Sequence, residues 1–380
     1  MDLQFEAALK MAEITIIKRD FDLLRKLITT LKAETQFQLI PYTALLCSEA
    51  IDYISRENEE VDIEQTSRYS IKDIRQKAKF FDLSVNKLLQ SVDNVDSLQN
   101  DYFISLMKFP KFGAWNIHNN LGVFYDNQKN IVGNTHYAYY LFQDDKMISK
   151  PKESMKGYEI IGEEIYAFAY DMGRIIGSIS SAFSIISDFM VADVLENNIV
   201  LHSQDFNTNR CYTKGNKKYK ILRLFLLHII SSIGFILYIL KKLIIRDSGL
   251  LLRLEYITYH YTLIRLENIA TYCRNNAVSD EKLIKMLKNI DYSNGDNLRK
   301  TEFRNCMMHF GLKDIKGNSL INEEKFNLAL PFCGLVESQF NVSYEEYKSI
   351  IESKLYFLYN IIRNYLDFNL LLSNNDGIAD

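Results

Sequence analysis

The stretch ILRLFLLHIISSIGFILYIL at 221–240 limits what this chain can fold into more than any other segment. Twenty nearly continuous apolar residues make a helix that either crosses a bilayer of roughly 30 Å or lies covered on all sides inside a bundle. Lys217, Lys218 and Lys220 precede it, and Lys241, Lys242 and Arg246 follow, as the flanks of a span would. Against a span stand Arg223 and His228 within the stretch and Ser231 and Ser232 at its middle. A central Arg costs about 2.5–3.5 kcal/mol on insertion scales, although Arg223 lies near one end and could snorkel. The mean hydropathy of the whole chain, -0.14, is that of a soluble protein. A buried core helix is therefore expected, and a membrane-associated effector is the lesser alternative.

Around that helix the sequence reads as mainly α. Four prolines and fifteen glycines in 380 residues leave room for long helices rather than a turn-rich all-β design. FDLLRKLITTLK at 21–32 sets Phe21, Leu24, Leu27, Ile28 and Leu31 at helical spacing, and TALLCSEAIDYI at 43–54 repeats the pattern. The acidic run at 57–65 reads as a solvated connection, with two shorter helices over 70–92. Gly and Asn then concentrate in 109–145, where VFY at 123–125 and HYAYYLF at 136–142 predict a small β-hairpin. Helix returns over 158–196. The polar stretch 202–220 marks a border between an N-terminal, mostly helical domain at 1–205 and a second helical domain at 215–372. Within the latter the spacing predicts helices at 220–246, 249–275, 279–290, 297–310 and 344–371. Ser343 with Glu346 forms a capping box for the last, and Gly311 suits the C′ position after the fourth.

The formal net charge of -3 excludes a uniformly basic nucleic-acid coat, yet it conceals a split. Residues 1–210 hold 22 Lys and Arg against 30 Asp and Glu, and residues 211–380 hold 23 against 18, so the halves carry -8 and +5. An anionic partner is expected on the second half. Five cysteines, an odd number with no C-x-x-C pair, indicate neither a disulfide scaffold nor a zinc module. The N-terminus lacks the basic start and apolar core of a signal peptide, so a cytoplasmic location is expected.

The chemistry concentrates in TEFRNCMMHFG at 301–311. Phe303, Cys306, Met307 and Phe310 fall on one buried face. Asn305 and His309, four apart, are neighbours on another, where the amide could hold the imidazole in one tautomer. Arg304 lies about 140° around the helix from His309, so one helix does not aim both at a single atom. Two such helices about a twofold axis would pool an Arg and a His from each subunit.

Arg304-Asn305-x-x-x-His309 resembles the R-[polar]-x-x-x-H motif of the HEPN superfamily (higher eukaryotes and prokaryotes nucleotide-binding). Its setting, a short helix after two long ones and before another long one, is similar to the HEPN four-helix bundle over about residues 219–371. An Arg followed by a His after four to six residues is uninformative, with roughly 0.7 chance matches expected here, and Arg223/His228 and Arg253/His260 also qualify. Only Arg304-Asn305-His309 has a polar residue after the Arg. The resemblance implies a homodimer with facing motif helices and metal-independent endoribonuclease activity, often in toxins and antiphage or abortive-infection effectors. It also implies a catalytically silent alternative, since some members bind RNA, nucleotide or a protein partner without cleaving. No cofactor and no metal are expected; RNA, a second copy, and an antitoxin or defence-system partner are.

The expected roles follow from the chemistry. Attack by the RNA 2′-hydroxyl needs a base and an acid that work near neutrality, which suits His309. Arg304 would hold the phosphate and the charge that develops on it, and Asn305 would orient its neighbours. The bland reading places Arg304 and Asn305 on a solvated face and makes His309 an interface histidine. Glu267 could orient Arg304, although an ordinary ion pair is favoured for it. Lys214, Lys217, Lys218 and Lys220 could hold RNA backbone, as could Lys241, Lys242 and Arg246, and a solvated linker is the equal alternative. His118 and His136 lack acidic partners at metal spacing, and Trp115 reads as core rather than as a stacking platform.

Overall fold

The computed structural model of the chain describes residues 3–56, 66–67, 69–79, 84–107, 119–142, 154–185, 198–208, 217–245, 249–292 and 298–367. Among them the fold is mainly helical with one small antiparallel sheet. Helices α1 (Leu3–Thr30), α2 (Ala33–Arg56), α3 (Ile71–Ala78) and α4 (Val85–Met107) come first. A hairpin of β1 (Leu121–Asp126) and β2 (Ile131–Asn134) leads directly into α5 (Thr135–Leu141) and on to α6 (Ser154–Ala182). Strand β3 (Leu201–Phe206) then completes a sheet of order β2-β1-β3.

The apolar helix α7 begins at Lys217–Gly234, passes through a π-helical turn at Phe235–Leu240 and ends in Lys241–Leu243. The rest of the chain buries 89% of its most apolar window. Its neighbours are β2 on one side and the C-terminal helix on another. Gly234 is required where α7 meets β2, because a Cβ there would stand 1.9 Å from the Ile131 carbonyl oxygen. After α7 come α8 (Leu250–Asn275), α9 (Glu281–Lys288), α10 (Thr301–Met308), α11 (Pro331–Phe340) and α12 (Tyr344–Leu366). Tyr359 of α12 ties the layers together: its hydroxyl accepts from the Ile131 amide at 2.7 Å, and its ring meets Tyr238 of α7 at 5.1 Å.

The expected hairpin exists, but its second arm is IVGN at 131–134, whereas HYAYYLF forms α5. The reason is local. Asn134 caps the helix by accepting from the Tyr137 amide at 2.7 Å, and Tyr137, Tyr140 and Leu141 then share one buried face at helical spacing. Ser343 caps α12 through the Glu346 amide at 3.2 Å, which is half of the expected box. Gly311 is not a left-handed C′ residue, since α10 already ends with His309 in extended conformation.

Buried apolar residues from both sides of 205–215 form one contiguous cluster. Polar contacts cross the same border inside it. Gln38 of α2 accepts from Ser232 of α7 at 3.1 Å, Tyr42 meets Thr258, and Asp20 of α1 pairs with Arg253 of α8 at 3.2 Å.

Candidate functional site

Helix α10 is held by its apolar face. Phe303 is fully covered, with the rings of Phe340, Tyr256 and Tyr347 at 4.8, 5.0 and 5.3 Å. Cys306 packs on the same side, and burial pushes its thiol up to about 12, which leaves no thiolate for chemistry. The opposite face stays open: Thr301, Glu302 and His309 are exposed, and Arg304 and Asn305 are half-buried.

The C-terminus of α10 is clamped from inside. Arg253 of α8 is buried and donates through Nη1 to the Met307 carbonyl at 3.1 Å, with longer contacts to those of His309 and Cys306. A cation at the last carbonyls of a helix is favourable both for the helix dipole and for the unpaired acceptors there. Asp20 balances the charge, and the guanidinium lies over the rings of Phe310 and Phe332, 4.7 and 5.2 Å from their centroids.

His309 therefore leaves the helix at a fixed point, and α2 takes hold of it. Its Nδ1–H donates to Glu49 Oε2. Glu49 is almost fully buried, and its other oxygen accepts from Arg75 Nη1 of α3 at 2.8 Å, while Arg75 also donates to Ser48 Oγ at 2.9 Å. A carboxylate bonded to Nδ1 fixes the tautomer that leaves Nε2 as the acceptor. The His309 side chain is 48% exposed, so solvent and ligands reach it.

Arg304 and Asn305 form a second unit on the same helix. The Asn305 Oδ1 accepts from Arg304 Nη2 at 2.8 Å and from Nε at 3.3 Å. The amide thus orients the guanidinium, and Glu49 performs for His309 the service expected of Asn305. No hydrogen bond joins the His309 side chain to either residue; its backbone amide donates to the Asn305 carbonyl at 2.7 Å. Arg299 adds a nearby positive charge. Burial first, then the charges of Arg299 and Arg304, hold the His260 imidazole down at about 4.

Other candidates fall elsewhere. Glu267 is exposed beside Cys273, Arg274 and Tyr292 and does not pair with Arg304. Lys220 is buried in an ion pair with Asp96, so it offers no ammonium to an RNA backbone. Asp96 draws it in: the same carboxylate accepts from Thr208 Oγ1 at 2.7 Å and from Asn120 Nδ2 at 3.4 Å. Lys217 and Lys218 begin α7, while Lys214, Arg246, His118 and Trp115 lie outside the described residues. Lys241 and Lys242 pair with Glu352 and Asp126. His136 is fully buried against His228, with Nδ1 and Nε2 at 2.8 Å. Among the described residues no three His, Cys, Asp or Glu side chains converge as a metal site.

Sequence reasoning missed Glu49, Arg75, Asp20 and the role of Arg253. The available signal was a charge placed within an apolar helical face: Glu49 in TALLCSEAIDYI, and Arg253 in LLLRLEYI. No family model, curated protein or solved structure matches this chain.

Proposed function

We propose that the protein is a metal-independent endoribonuclease of HEPN type that acts in the cytoplasm as a toxin or antiphage effector. The observation that carries this reading is the His309–Glu49 pair. An accessible imidazole with Nδ1 bound to a buried carboxylate is equipped to accept a proton at Nε2 and to return one. In the reaction, Nε2 takes the proton of the RNA 2′-hydroxyl as that oxygen attacks the adjacent phosphorus. Arg304, aligned by Asn305, holds the non-bridging oxygens as charge builds on them. A second imidazole protonates the departing 5′ oxygen, which yields a 2′,3′-cyclic phosphate and a 5′-hydroxyl.

Arg304 stands on α10 and His309 just beyond its end, and no hydrogen bond joins their side chains, so the reading places the active centre at a composite site made by twofold pairing of α10. The partner's His309 then supplies the acid. The lower charge of residues 1–210 suits control or partner binding, by an antitoxin or another defence component, better than RNA contact. A silent RNA-, nucleotide- or protein-binding HEPN domain is the second reading, favoured by the engagement of Arg304 with its own Asn305.

RNA incubated with purified protein in EDTA is expected to acquire cyclic phosphate ends, and His309→Ala to stop the cleavage. Cleavage that persists in His309→Ala sinks the site. RNA binding without cleavage at any pH establishes the silent reading instead.

A further inference from the structure

A cavity of about 450 Å³ opens between α1, α2 and α6, on elements that do not form the His309 site. Its walls are apolar: Ile28 of α1, Leu39 and Ile40 of α2, and Phe168, Met172 and Ile176 of α6. The volume is within the range of small-molecule sites, about 300–1,000 Å³. Two glycines of α6, Gly173 and Gly177, line it one turn apart, and a Cβ at either would meet no atom within 4 Å. Both glycines are exposed, so the helix backbone itself forms part of the wall and leaves room beside it.

A second observation points to an occupant. Ser180 lines the cavity and is only 8% exposed, and its Oγ is buried without a hydrogen-bond partner among the described residues. Helical serines ordinarily turn back to a carbonyl one turn earlier, and a buried hydroxyl left unpaired costs about 1–3 kcal/mol. Arg25, exposed at the rim, makes no ion pair with any described residue. The neighbouring polar groups are already engaged: Gln36 Nε2 donates to the Ile28 and Leu31 carbonyls, and Thr43 Oγ1 donates to that of Leu39. What remains is one hydroxyl donor within an apolar wall and one cation at the edge.

We propose that this cavity binds an oxygenated fatty acid, an aliphatic chain whose carboxylate meets Arg25 and whose hydroxyl or keto oxygen accepts from Ser180. The chain replaces water along Phe168, Met172 and Ile176, and the Gly173–Gly177 backbone gives it room to lie against the helix. The proposal stands apart from the RNA reading, because binding is measured directly.

Calorimetry of the full chain with dodecanoate, ω-hydroxydodecanoate and dodecanol tests it. One ω-hydroxydodecanoate per chain is expected to bind, several-fold more tightly than dodecanoate, as one net hydrogen bond provides. Ser180→Ala should abolish that preference. Arg25→Gln should weaken both acids about tenfold and leave dodecanol unchanged. Gly177→Leu should abolish binding of all three while the thermal midpoint stays level or rises, since the new side chain fills the cavity. The proposal is overturned if no acid binds, if Gly177→Leu binds as well as the parent, or if Arg25→Gln has no effect. It is likewise overturned if sedimentation shows that Gly177→Leu breaks a dimer and lipid is ignored, for the face then serves self-association.

Discussion

At the scale of single residues, the decisive partners lie far apart in sequence. His309 and Glu49 are separated by 260 positions, and no local pattern links them. The motif itself was legible, because Arg304, Asn305 and His309 are near neighbours in sequence, although His309 turns out to lie just past the end of α10. Their pairing was not, since it depends on which helix packs beside them. Glu49→Gln keeps the shape of the side chain but offers Nδ1 an amide instead of a charge. RNA cleavage is expected to fall about 10- to 100-fold, with the pH–rate profile displaced, while binding of an uncleavable deoxy-substituted RNA stays near normal. An unchanged profile would remove Glu49 from the mechanism.

The buried imidazoles carry a separate consequence. Burial holds His136 at about 4, and burial together with the adjacent His136 holds His228 well below its ordinary value. An unfolded chain binds protons at these groups near pH 6.5, before the folded one does. Their contribution is therefore complete above about pH 6.5 and is lost as pH falls towards 4. His136 alone amounts to roughly 3 kcal/mol across that window. Urea unfolding at stepped pH should show the decline, and His136→Asn should make it shallower while His228 retains its share.

Elements were easier to read than their ends. Helical periodicity located α1, α2, α8, α10 and α12, because amphipathic spacing is a property of neighbouring residues. HYAYYLF misled because aromatic richness imitates a strand, whereas Asn134 immediately before it was a cap in plain view. Close approach between elements left no sequence signal: Gly234 looks like an unremarkable helical glycine until Ile131 is seen against it. Gly234→Ala should improve helix propensity and still destabilise the protein, by about 1–3 kcal/mol from forced repacking. A gain in thermal midpoint would show that α7 and β2 can separate at little cost. The clamp on α10 behaves differently. Arg253→Met removes the cation beside the buried Asp20 and should cost about 3–5 kcal/mol, whereas adding Asp20→Leu should restore much of it.

For the whole molecule, sequence reading indicated a mainly α chain and placed a border at 205–215. It did not show that buried residues on both sides join one cluster, with Gln38–Ser232, Tyr42–Thr258 and Asp20–Arg253 inside. Composition shifts report where a linker is polar, and they carry no information about what packs across it. The full chain is accordingly expected to unfold in one calorimetric transition, with equal van't Hoff and calorimetric enthalpies. Two resolved transitions would mean that the shared core does not couple the halves.

The covered position of α7 also bears on how the chain is made. Synthesis delivers α7 more than a hundred residues before Tyr356 and Tyr359 of α12 arrive to shield Tyr238. In that interval a strongly apolar segment emerges from the ribosome with one of its walls still unwritten, and an exposed apolar helix of this kind is prone to aggregation until that wall arrives.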